Sequence, residues 1–96
     1  MMKTIYKYPI VVADEQVIEM PIYASILSVQ MQGDKVNIWA LVDTALPTSP
    51  VKIRVLGTGT PIAAGLQLRH IGTVCSVFVW HVFVDDTEGR NCVITN

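Results

Sequence analysis

Charge is scarce in this chain. Only 16% of its 96 residues are Asp, Glu, Lys or Arg, against about 25% in an ordinary globular domain. Seven cations and eight acids leave a net charge of −1. No overall field draws in nucleic acid or an anionic membrane, so neither is an expected partner. Long apolar runs are missing too, which excludes a transmembrane helix. Cysteine is limited to Cys75 and Cys92. With His70 and His81 they show none of the paired short spacings of a structural zinc site, so no metal and no cofactor are expected. The first fifteen residues lack an apolar core with a cleavage site. That reads as a cytoplasmic chain whose cysteines stay thiols rather than a Cys75–Cys92 disulfide. Helical periodicity is absent as well.

What is present is valine, isoleucine, threonine and turn residues, in short apolar runs. These read as strands: Thr4–Tyr8, ended by Pro9; Gln16–Met20, ended by Pro21; Ile26–Gln32; Val36–Val42; Val51–Leu56; His70–Val74; and Val77–Val84. Leu27, Val29 and Met31 share one face of the third, with Ser28, Gln30 and Gln32 on the other. Gly33-Asp34 is a tight hairpin turn, because glycine takes positive φ without strain. Asp43–Pro50 is a loop led by an aspartate suited to an Asx turn. In Val51–Leu56, Val51, Ile53 and Val55 point inward, Lys52 and Arg54 outward. Val77–Val84 is apolar on both faces, which predicts a central strand with something packed on each side. Residues 85–96 form an edge strand through Cys92–Ile94, or a mobile tail. The expectation is one domain over residues 1–96, all-β: a small antiparallel sandwich or barrel of about seven strands, with at most a short helical turn. The alternative is an α+β domain with one short helix around Pro61–Leu68. A chain this apolar and so lightly charged is expected to cover part of its surface, through Val77–Val84, with a second copy.

Acids are absent from Thr44 to Val84, while Lys52, Arg54, Arg69 and both histidines lie there. Inside that stretch stands VLGTGTPI, Val55–Ile62. A dinucleotide fingerprint fails because Ile62 occupies the third glycine position, and a P-loop fails because no lysine follows. What remains is a strand running into Gly57-Thr58-Gly59-Thr60. Thr60 suits a helix N-cap, with Pro61 at the first helical position and Gly65 as terminator. Amides and hydroxyls of such a turn can hold an anion, with Lys52, Arg54 and Arg69 to neutralise it and Trp39 to stack on a base. On residue type alone His81, Trp39 and Trp80 read more readily as core. No nucleophile–base or paired-carboxylate arrangement is legible, so no enzyme is expected.

The blocks MKTIYKYP, DEQVIEMP, ILSVQ, WALVD, VLGTGTPI, HIGTV and WHVF, in this order from Met2 to Phe83, resemble a family of small proteins of unknown function encoded by tailed phages. The resemblance carries no catalytic residue. It implies a phage gene expressed in a bacterial cytoplasm, and an accessory protein that binds something of the host. By analogy with phage proteins that sequester nucleotide immune signals, the expected function is capture of a small anionic ligand. The competing readings are an inhibitor of a host protein, a structural module of the phage, and a small nucleotide hydrolase.

Overall fold

The computed structural model describes residues 2–89 and 93–95. Eight strands account for its regular structure: β1 Lys3–Ile10, β2 Gln16–Pro21, β3 Ser25–Gln32, β4 Lys35–Asp43, β5 Thr48–Gly57, β6 Leu68–Cys75, β7 Val79–Asp85 and β8 Ile94–Thr95. They form two four-stranded sheets, ordered β1-β4-β3-β8 and β2-β5-β7-β6. The sheets are not closed into a barrel. Among the described strands every pairing is antiparallel except the short one of β3 with β8, which is parallel, and the two sheets fit the expected small antiparallel sandwich. No described residue is helical. Gly57–Thr60 closes as a turn, Thr60 N donating to Gly57 O at 3.1 Å, and the chain runs on without a helical turn through Pro61–Leu68. The N-cap role expected of Thr60 is thereby corrected, as is the α+β alternative. No helix among the described residues is long and apolar enough to cross a membrane.

The inner faces follow the period of two. Val36, Ile38, Ala40 and Val42 of β4 meet Val51, Ile53 and Val55 of β5 and Val82 and Val84 of β7, all essentially inaccessible. Lys52 and Arg54 point away from that core, as their alternation requires. In β3 the phase departs from simple alternation. The pairing with β4 slips between Ile26 and Ser28, so Leu27 is the extra residue of a bulge. Ile26 and Val29 are buried, while Leu27 is exposed. The expected stripe of Leu27, Val29 and Met31 is corrected at Leu27, because one inserted residue flips every position before it.

Of the two prolines expected to end strands, Pro21 does so and Pro9 does not. Pro9 sits inside β1 and Pro21 closes β2. Both strands lie at sheet edges, where the missing N–H disrupts no ladder. The loop from Asp43 shrinks to Thr44–Pro47, and its Asx turn forms: Asp43 Oδ1 accepts from Ala45 N at 3.0 Å. Gly33 takes φ +63° in the β3–β4 hairpin. β7 is central, between β5 and β6, yet it starts at Val79. Val77 and Phe78 belong to the bend before it, 91% and 65% exposed, so the strand expected from Val77 is two residues too long. Only its Val82–Val84 face is packed inside. His81 and Phe83 lie half-buried on the outer face, which corrects the reading of His81 as core. Cys92, and with it the start of the expected last strand and the Cys75–Cys92 alternative, lies outside the described residues.

Candidate functional site

The outer face of the second sheet carries most of the polar chemistry, in three zones along β5, β6 and β7.

At one end is an ion-pair cluster. Lys52 Nζ lies 3.3 Å from Glu15 and 3.5 Å from Glu88. Arg54 Nε donates to Asp85 Oδ2 at 2.6 Å, and its NH2 group stands 3.4 Å from Glu15. Asp85 is buried. Burial alone would push its carboxyl up, but hydrogen bonds from the Thr87 hydroxyl, Arg54 and the Thr87 amide outweigh it and lower its pKa from 3.8 to about 2. Among the described residues both cations are engaged by carboxylates, Lys52 by Glu15 and Glu88 and Arg54 by Asp85 and Glu15, which offsets their pull on an anion. A cavity of about 300 Å³ beside it is lined by Val17, Pro50, Lys52, Asp85 and Glu88 among others.

In the middle, four polar side chains form one hydrogen-bonded chain. Thr58 Oγ1 lies 2.8 Å from His81 Nε2. His81 Nδ1 lies 3.1 Å from Thr73 Oγ1, which lies 2.8 Å from His70 Nε2. The pairings Thr73↔His81 and His70↔Phe83 place both imidazoles on this face. Phe83 meets the His70 ring edge-on, centroids 5.5 Å apart. Among the described residues neither imidazole forms an ion pair with a carboxylate.

The third zone is the β6–β7 tip. Ser76 N donates to Phe78 O at 2.8 Å and closes the bend. Val77, Phe78 and Val79 follow one another at 91%, 65% and 39% exposure. Phe78 leans on Trp80, centroids 5.8 Å apart. Cys75 is exposed beside them.

The expected anion site is not assembled as drawn. Trp39 stands on the outer face of the first sheet, opposite Lys7 and Ser28, on the far side of the sandwich from Lys52 and Arg54. Arg69 pairs with Val84 and Arg54 with Phe83, the next residue, so their side chains leave opposite faces of the second sheet. Arg69 is engaged by Asp86 and donates to Val93 O at 3.0 Å. Arg54 and Thr60 do share a wall, in a cavity of about 150 Å³ with Asp14, Leu56 and Ile62. Thr58 turns to His81, away from the cations. Gly57 lies against Trp80, where a Cβ would come within 3.3 Å of the indole, and Gly59 takes φ +86°.

Two features escaped the sequence reading. Asp85 followed the last strand as one of an acidic pair, with no spacing that tied it to Arg54. The Thr73–His81 contact was within reach: a hairpin centred on Val77 pairs these residues. Reading Val77 as strand concealed that centre.

No curated protein and no solved structure matches the chain. The family model described as Domain of unknown function (DUF7352) matches residues 1–91. With nearly the whole described fold inside that match, the chain belongs to the DUF7352 family.

Proposed function

We propose that this protein is a non-enzymatic binding module whose anchor is the β6–β7 tip, and that the tip docks on an apolar surface of another protein. The observation that carries this is the run Val77, Phe78 and Val79, left exposed beside a core that is complete without it. Covering one such side chain fully is worth about 1.5–3 kcal/mol. The resemblance to phage-encoded accessory proteins makes a bacterial host protein or a second copy of this chain the partner class. Phe78→Ser is expected to weaken the complex about ten- to hundredfold and leave thermal stability unchanged. The measurement is biolayer interferometry against a captured host partner, or sedimentation equilibrium for the self-complex. Equal binding by the variant would remove the tip from the interface.

The small-anion reading, including sequestration of a nucleotide signal, keeps one supporting observation. Thr58 and Gly59 lie at the end of the face where, among the described residues, the imidazoles have no carboxylate partner. Calorimetry against mono-, di- and cyclic nucleotides tests it. Binding tighter than about 10 μM (roughly −7 kcal/mol), lost in Gly59→Val, would put this reading first.

A further inference from the structure

From the chain Thr58–His81–Thr73–His70, we propose that Thr58 is an activated hydroxyl that accepts an acyl group from a small activated ester, with His81 as its general base. The inference rests on hydrogen-bond geometry and proton accounting, and is independent of the tip.

A nucleophile becomes reactive when a base lies within hydrogen-bond reach and a third group orients that base. Thr58 Oγ1 is 2.8 Å from His81 Nε2, and Thr73 holds the other ring nitrogen at 3.1 Å. Thr73 has one hydroxyl proton and two nitrogen neighbours, so it donates to one and accepts from the other. When it donates to His70 Nε2, it accepts from His81 Nδ1–H. That arrangement leaves His81 Nε2 with a lone pair aimed at the Thr58 hydroxyl. Each of the three hydrogen bonds in the chain then has one donor and one acceptor. Thr58 is exposed, so an ester can reach it. The neighbouring Gly59 carries no side chain to obstruct the approach.

The step balances within these groups. Thr58 Oγ attacks the ester carbonyl carbon while its proton passes to His81 Nε2. The tetrahedral intermediate collapses, the bond to the leaving oxygen breaks, and that oxygen departs as an alkoxide or phenolate that takes up the proton. The product is an ester on Thr58. Among the described residues no carboxylate pairs with His81 to stabilise the imidazolium, so the expected outcome is a single modification and not efficient turnover.

The test uses the intact protein and p-nitrophenyl acetate in mildly alkaline buffer. Peptide mapping by mass spectrometry follows the acetyl group over time. Thr60, exposed two residues away, is the internal control. The expected result is acetylation of Thr58 well ahead of Thr60, slowed about 100-fold in His81→Gln, the lower end of what a positioned base contributes. Thr73 is a positioning residue: Thr73→Val is expected to slow Thr58 labelling and Thr73→Ser to restore it. Circular dichroism confirms that each variant is folded, and Thr58→Ser, which keeps the hydroxyl, stands in should one fail. Labelling of Thr58 no faster than Thr60, an unchanged rate in His81→Gln, or stable acetylation of His81 in place of Thr58 would overturn the proposal.

Discussion

Asp85 is the side chain on which most of the outer face depends. It is buried, it ends β7, and it holds Arg54 and Thr87 together. Its carboxyl titrates at about 2 in the fold against 3.8 as reference. The unfolded chain therefore binds a proton more readily than the folded one as the pH drops. The stabilisation is fully present above about pH 4 and is lost as pH falls through about 2, amounting to about 2–3 kcal/mol. Urea unfolding across that range should show the decline. In Asp85→Asn this part of the decline should be missing. Arg54→Ala removes the guanidinium that donates to the buried Asp85 carboxylate, and a cost of about 3 kcal/mol is expected at neutral pH. The surface pairs of Lys52 with Glu15 and Glu88 contribute far less, so Glu88→Gln should leave the unfolding midpoint in place.

Among the elements, β6 and β3 show how tightly the two sheets meet. β6 slips its register between His70 and Gly72, which makes Ile71 a bulge and turns Gly72 toward β3. A Cβ at Gly72 would stand 2.7 Å from the Val29 Cβ and 3.0 Å from its Cγ2. Gly72→Ala should therefore cost about 1–3 kcal/mol through overpacking, measured by denaturant unfolding. Val29→Gly, which removes the Cβ that alanine would keep, should show a favourable coupling with Gly72→Ala in a double-mutant cycle, which distinguishes a local clash from a general loss of strand propensity. The existence of these strands was legible in their apolar runs. Their phase at the bulges was not, because Leu27 and Ile71 look like any other strand residue until the partner strand fixes which one is extra. The binding-site reading suffered in the same way. Lys52, Arg54 and Thr58 were correctly placed on one strand and the turn after it, but which neighbours they met depended on β7 and β2.

For the whole molecule, the extents are 42 × 33 × 19 Å, with a Cα radius of gyration of 13.1 Å. A compact chain of this length is expected near 12–13 Å, so the chain is as compact as an ordinary domain of its size. The thin dimension is two sheets with their side chains. A thin body has much surface for its volume, and the exposed apolar residues are spread over it: Ile5 and Tyr6 on β1, Val17 on β2, and the tip at Val77–Val79. The tip is the one place where three follow in sequence. We expect self-association through it at high concentration, and sedimentation equilibrium should show a species larger than the monomer. Val77→Asp with Phe78→Asp should return it to monomer with the melting temperature unchanged, since neither side chain packs in the core. Trp80→Asp should instead unfold the protein, because Trp80 packs on the core and the charge would be buried unpaired.

By itself the sequence determined an all-β chain, the approximate extent of its strands, the Gly33 hairpin, the Asx turn at Asp43 and the alternation that sends Lys52 and Arg54 outward. All of these are local: they depend on period, turn chemistry and propensity within a few residues. Only the tertiary structure decided what those outward residues meet. The acid-free stretch from Thr44 to Val84 suggested a basic site, yet pairing β5 with β7 and placing Glu15 nearby sets Asp85, 31 positions from Arg54, and Glu15, 39 positions from it, against its guanidinium. The β5–β7 pairing also joined Thr58 to His81, while the pairings of β4 with β1 and β3 put Trp39 on the far side of the sandwich. Sheet register joins residues far apart in the chain, and charge segregated along the sequence does not remain segregated across strands.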